Sequence, residues 1–184
     1  FLVNTKNAKL IGELPVNNKI LMASFKYKGF TIEFRDTLCM INKPLSQFGK
    51  CFNMKTEKEI IPYSIYNKEN LDERFLDINK ILECKEFYTI NKIHTKNNFS
   101  KKYEKDINKI NNFLKNAKKW DCIFDDDKID IIKYSEIYCK IDVKVLMDGH
   151  KIFRKWVKEL TENGNDGIDI YGKLTISSVA DMYL

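Results

Sequence analysis

Tyr134-Ser-Glu-Ile-Tyr138-Cys-Lys-Ile-Asp142-Val-Lys-Val-Leu146 lies in the longest helical pattern of the chain. Tyr134, Ile137, Ile141, Val145, Ile152, Phe153, Trp156, Val157 and Leu160 form a nearly continuous apolar stripe. This predicts a helix over residues 131–160, with a break near Gly149. Tyr138 and Asp142 stand four residues apart, so both side chains project from one face. Asp142 falls beside the stripe, and a carboxylate near a core needs a partner or a metal, because an isolated buried charge is costly. A phenol next to a carboxylate can orient a water beside a metal ion. The same spacing also fits a Tyr packed at a core edge and an Asp paired with a neighbouring Lys, and nine tyrosines make such a match easy to obtain by chance.

Upstream, Lys19-Ile-Leu-Met-Ala-Ser-Phe-Lys-Tyr27 reads as a strand, Lys28-Gly29 as a two-residue turn, and Phe30-Thr-Ile-Glu-Phe-Arg35 as the partner strand. A weaker strand covers residues 8–13 and ends at Leu14-Pro15. Pro44 suits the first position of a short helix carrying Leu45, Phe48 and Phe52 on one side. Ile60-Ile-Pro-Tyr63 reads as an extended approach to a turn. Residues 71–84 and 103–114 show helical spacing, with a polar loop at 91–100 between them. Asp125-Asp126-Asp127 reads as capping or surface charge before the long helix. The pair of glycines Gly164 and Gly167 ends that helix.

With 43% hydrophobic and 12% aromatic residues, the chain is too apolar to be disordered. No apolar run approaches the roughly 20 residues that span a bilayer, and no signal peptide pattern opens the chain, so no membrane partner or export address is expected. The five cysteines form no C-x-x-C pair and only His94 and His150 accompany them. A zinc site is therefore not expected, and an intracellular reducing compartment fits best.

The net charge of +6 concentrates in residues 91–120, where nine lysines face only Glu104 and Asp106. That stripe matches the charge of a phosphate backbone, while the scarcity of Arg and aromatics among the lysines is the pattern of a solvated face. Gly167-Ile-Asp-Ile-Tyr-Gly172-Lys173-Leu174 fits G-x-x-x-x-G-K, but Leu174 stands where a phosphate loop needs Ser or Thr. No Ser-His-Asp or Cys-His arrangement is evident.

Several motifs occur in a telling order: Phe34-Arg-Asp-Thr-Leu38 after the hairpin, the helix with Leu45, Phe48 and Phe52, Ile61-Pro-Tyr63, then Tyr138-Cys-Lys-Ile-Asp142, and finally Leu174-Thr-Ile-Ser-Ser-Val-Ala-Asp-Met-Tyr-Leu184. This order resembles the 3′–5′ exonuclease region of family B DNA polymerases, most closely the protein-primed branch of phages, virophages, linear plasmids and Maverick/Polinton elements. The resemblance implies an α/β, RNase H-like exonuclease fold in which three acidic motifs hold two divalent metals, Mg2+ or Mn2+. It makes Tyr138-x-x-x-Asp142 the third motif, with Asp142 a metal ligand and Tyr138 orienting the attacking water. Thr37-Leu38-Cys-Met-Ile41 is similar to the signature that contacts the single-stranded primer 3′ end, through the Thr37 hydroxyl and an apolar Leu38. For Thr37 and Leu38, a hairpin exit and a buried Leu fit equally well.

The resemblance also implies residues 1–162 as a partial exonuclease domain, with residues 60–130 a variable insertion and 163–184 leading towards a polymerase domain. A terminal protein primer is an implied partner, and cytoplasm or a virus factory, nucleus or mitochondrion the implied setting. The family's Asp-x-Glu and Asn-x-x-x-Phe-Asp motifs have no counterpart in residues 1–19. They are expected upstream in a longer parent, so that this stretch alone would have little or no cleavage activity. The lack of an initiator Met and the apolar pattern running to Leu184 fit such a piece. Two competing readings are a basic α/β DNA-binding module whose exonuclease site has decayed, and a packing domain that matches the motifs by accident.

Overall fold

The computed structural model describes residues 6–16, 19–56, 58–87, 101–125, 127–162, 166–173 and 175–183, with the backbone alone for 16, 19 and 101–106. In chain order its elements are β1 (Ala8–Val16), β2 (Lys19–Tyr27), β3 (Phe30–Arg35), α1 (Phe48–Cys51), β4 (Phe75–Asp77), α2 (Ile78–Leu82), α3 (Lys101–Lys119), β5 (Ile123–Phe124), β6 (Lys128–Asp130), α4 (Ile131–Thr161) and α5 (Ile176–Tyr183). Two small antiparallel sheets with helices make this a mixed α/β chain, as the sequence implies at that level. It divides into two compact units, Phe1–Met54 with Leu146–Leu184, and Lys55–Val145.

In the first unit, β1, β2 and β3 form a sheet in that order. Tyr27 pairs with Phe30 across the turn, as the hairpin reading requires. Lys28 and Gly29 both have positive φ (47° and 84°), the twist that a two-residue hairpin turn needs and that Gly29 adopts without strain. β1 runs further than expected: it continues through Pro15 to Val16, with irregular register at Leu10/Gly12 and Leu14/Pro15. Proline is tolerated there because β1 is an edge strand.

The helix expected near Pro44 is a 3-10 turn at Leu45–Gln47 leading into the four-residue α1. Phe48 and Phe52 nevertheless do the packing: Phe52 sits edge-on to Phe48 and contacts Trp156 with ring centroids 5.3 Å apart. α4 is not broken near Gly149. A Cβ at Gly149 would collide with the Phe48 ring and lie 3.2 Å from Phe52 Cδ2, so the glycine serves close packing rather than a kink. The end of the apolar stripe is only partly covered: Val157 is buried, while Leu160 is 77% exposed.

The second unit is built on a core of Leu76, Ile81, Phe87, Phe113, Ala117, Ile129, Ile131 and Tyr134, all essentially inaccessible. Burying one Phe-sized side chain in this way contributes about 1.5–3 kcal/mol. Phe113 and Trp120 pack against Tyr134, with centroids 4.7 and 4.9 Å away. β4 pairs with β6, and β6 with β5.

Residues 71–84 do not form one helix. Leu71 is exposed, Phe75–Asp77 joins the sheet, and only Ile78–Leu82 is helical, because strand pairing with β6 overrides the local spacing. α3 is longer than the pattern over 103–114 suggests, while most of the 91–100 loop reading lies outside the described residues. Of the acidic run, Asp125 and Asp127 are exposed surface charges, one of the two readings the sequence allows, and do not cap α4, while Asp126 lies outside the described residues. β6 intervenes, and the cap is Asp130, whose Oδ1 accepts the Lys133 N–H at 2.9 Å.

Candidate functional site

In the second unit, α4 presents Tyr138 and Asp142 on one face, as their spacing requires, and a third side chain joins them from far away in sequence. Lys58 donates to the Tyr138 hydroxyl and, at 2.6 Å, to Asp142 Oδ2. Lys58 lies in the irregular stretch that runs to Pro62, and its side chain reaches α4. Tyr63, in the 3-10 turn that follows, shares a 2.7 Å hydrogen bond with Tyr138 and meets its ring edge-on at 86°.

The environment is half-dry. The Lys58 and Asp142 side chains are 25% and 19% exposed, and Tyr138 is buried. Burial, the Tyr63 hydrogen bond and the nearby Asp142 carboxylate push the Tyr138 hydroxyl well above the usual tyrosine range, so it stays protonated and acts as a hydrogen-bonding group. Asp142 Oδ1 is buried and has no hydrogen-bond partner among the described residues. An orphaned carboxylate oxygen costs free energy in such a place, and it is the kind of atom a hard cation would satisfy. Among the described residues, no group of three His, Cys, Asp or Glu side chains converges as a cation site. The donor set therefore fits one ligand position and not a complete metal centre.

Two further tyrosines brace the site. Tyr134, one turn before Tyr138, donates to the Ile60 carbonyl at 2.8 Å. Tyr66 hydrogen-bonds to Ser135. These bonds tie the strip carrying Lys58 and Tyr63 to the first turns of α4. Lys58 was not singled out from the sequence, and Tyr63 only as part of Ile61-Pro-Tyr63. The signal that would have found Lys58 is chemical: the carboxylate beside an apolar stripe demanded a cation.

Thr37 and Leu38 lie in the first unit, in a 3-10 turn at Thr37–Cys39 directly after β3. Asp36 accepts from the Leu38 N–H at 2.9 Å, and the Thr37 carbonyl accepts from Met40 and Ile41. Met40 and Ile41 are buried while Leu38 is 44% exposed, so the turn anchors itself through its end and leaves Leu38 facing out rather than buried.

The model of the type B DNA polymerases of organelles and viruses matches residues 3–182, nearly the whole chain. This chain belongs to that family. It is also 27% identical over 153 residues, 79% of its length, to a probable DNA polymerase of Neurospora intermedia, and it spans 14% of that protein's length. No solved structure matches it. Within a type B polymerase sequence, the Lys58–Tyr138–Asp142 cluster stands out as a half-buried carboxylate with an unsatisfied oxygen.

Proposed function

We propose that this type B polymerase chain is a 3′–5′ exonuclease region of RNase H-like fold, from the protein-primed branch, and that Tyr138 and Asp142 form its third acidic motif. The observation that carries this reading is the buried, unpartnered Oδ1 of Asp142 beside a Tyr138 hydroxyl held by Lys58 and Tyr63. A bound Mg2+ or Mn2+ pair would supply an activated water and stabilise charge on the scissile phosphate. Asp142 Oδ1 offers one ligand position. Tyr138 keeps its proton and positions a water by hydrogen bonding, and Lys58 holds Asp142 Oδ2 and brings positive charge beside the phosphate.

In this reading the remaining carboxylates belong to other segments of the longer polymerase, so the 184-residue chain alone cleaves little or not at all. Thr37 offers a hydroxyl, and the exposed Leu38 an apolar contact, to the single-stranded primer end. Residues 163–184 lead towards the polymerase domain, and a terminal protein serves as the primer partner in an intracellular, reducing setting. The ion pair between Lys58 and Asp142 is also what a decayed site would keep as a structural pair, which makes a DNA-binding module without cleavage the second reading.

The deciding measurement is manganese-dependent shortening of a labelled single-stranded primer by the longer polymerase. Asp142→Ala abolishes shortening, and Tyr138→Phe lowers it by about 10- to 100-fold, the range for removing a group that orients a ligand. Shortening at the parental rate in Asp142→Ala overturns the assignment. No shortening by the parent itself supports the second reading.

A further inference from the structure

The local excess of lysine on α3 has no part in the cluster around Asp142. α3 turns Phe113 and Ala117 into the core, with Ile110 and Leu114 packed against it. Its opposite face exposes Asn108, Asn111, Asn112, Lys115, Lys118 and Lys119, spaced at three and four residues. Residues 107–119 contain no acidic side chain, and the preceding turns of the helix add Lys101, Lys102 and Lys105 against Glu104 and Asp106. Basic residues in a last turn complement the helix dipole, which accounts for Lys118 and Lys119. It does not account for Lys115 or for three exposed asparagines, which oppose helix formation rather than favour it.

Lysine and asparagine share one ability, donating hydrogen bonds to phosphate oxygens. At about 1.5 Å per residue the stretch 107–119 is about 20 Å long, and duplex DNA carries one negative charge per roughly 1.7 Å of its axis. A face this long and free of carboxylates can therefore lie along several phosphates at once. We propose that the Lys–Asn face of α3 docks on the phosphate backbone of duplex DNA, without sequence preference. The proposal rests on charge complementarity and on membership of a DNA polymerase family, not on the exonuclease reading.

The test is fluorescence anisotropy of a labelled duplex of about 20 bp titrated with the whole 184-residue chain, in EDTA, over a range of salt concentrations. The triple variant Lys115→Gln/Lys118→Gln/Lys119→Gln is expected to bind about tenfold or more weakly near 0.1 M salt. The slope of log K against log salt should shrink by about one per lysine. The triple Lys→Arg variant restores both, and circular dichroism shows unchanged helix content. Should the triple Gln variant unfold, Lys115→Gln alone should still reduce the slope by about one. Unchanged affinity and slope in the Gln variants overturn the proposal, as does preferential binding to phosphatidylserine vesicles over duplex. Because the titration is run in EDTA, where no metal-dependent cleavage occurs, docking is read independently of the exonuclease assignment.

Discussion

Lys58 Nζ lies 2.6 Å from Asp142 Oδ2, while Oδ1 of the same carboxylate is buried without a hydrogen-bond partner among the described residues. Half of the carboxylate is neutralised from within the chain and half is left for something else. Removing the ammonium therefore leaves a partly buried anion. Lys58→Met is expected to destabilise the chain by about 1–2 kcal/mol, below the range for a fully buried pair because both side chains keep some water. Asp142→Asn should cost less, since the freed lysine can turn to solvent. A double-mutant cycle in urea is expected to give a coupling of about 1 kcal/mol between the two positions; additive effects would mean that the pair does not form in solution.

Tyr134 is fully buried and its hydroxyl donates to the Ile60 carbonyl. Burial raises its ionisation far above the usual tyrosine range, and the Glu59 carboxylate adds to that shift. Tyr134→Phe keeps the ring packing against Phe113 and Trp120 but orphans the carbonyl. The expected loss is about 1–2 kcal/mol by denaturant titration, with unchanged helix content by far-ultraviolet circular dichroism.

Asp130 caps α4 through Oδ1 and receives Arg74 Nε and Nη2 on Oδ2 at 2.9 and 2.8 Å. Burial alone would raise its carboxyl, but the Arg74 and Lys133 contacts outweigh burial and hold it below the ordinary range. A folded value below the unfolded value near 4 means stabilisation that is fully present above about pH 4 and is lost as pH falls through the folded value. Asp130→Ala should lower stability at neutral pH by about 1 kcal/mol, the size of a helix-cap contribution. It should also flatten the acid limb of the stability–pH curve, measured by urea midpoints from pH 3 to 7 (about one point per pH unit).

Gly149 lies mid-helix with the Phe48 ring against its Cα. In an open helix, Gly→Ala would stabilise by up to about 1 kcal/mol. Here Gly149→Ala is expected to destabilise by about 1–3 kcal/mol through overpacking, and Phe48→Leu to relieve part of that loss. A more stable Gly149→Ala protein would show that Phe48 does not pack there.

The elements that the sequence displays clearly are those written in short-range code. The hairpin is legible because Lys28-Gly29 supplies two positive φ angles between alternating apolar strands. α4 is legible because its apolar stripe persists for eight turns or so at helical spacing. Residues 71–84 mislead because Leu71, Phe75, Ile78 and Leu82 mimic a helical face, whereas Phe75–Asp77 is held by hydrogen bonds to a strand more than fifty residues away. Likewise Asp125 and Asp127 fit either a cap or surface charge by sequence; they are exposed, and the cap is the residue adjoining the helix, Asp130.

For the candidate site, the four-residue spacing by itself determined that Tyr138 and Asp142 share a face, because helix geometry acts within a turn. The sequence also determined that Asp142 needed a partner, since the stripe beside it is apolar. It takes the folded core to bring Lys58, 84 residues upstream, to Asp142, to add Tyr63 to the set, and to leave one carboxylate oxygen without a hydrogen-bond partner among the described residues. Those outcomes depend on which side chains the folded core brings within hydrogen-bonding distance, and no periodicity along the chain encodes a contact made across it.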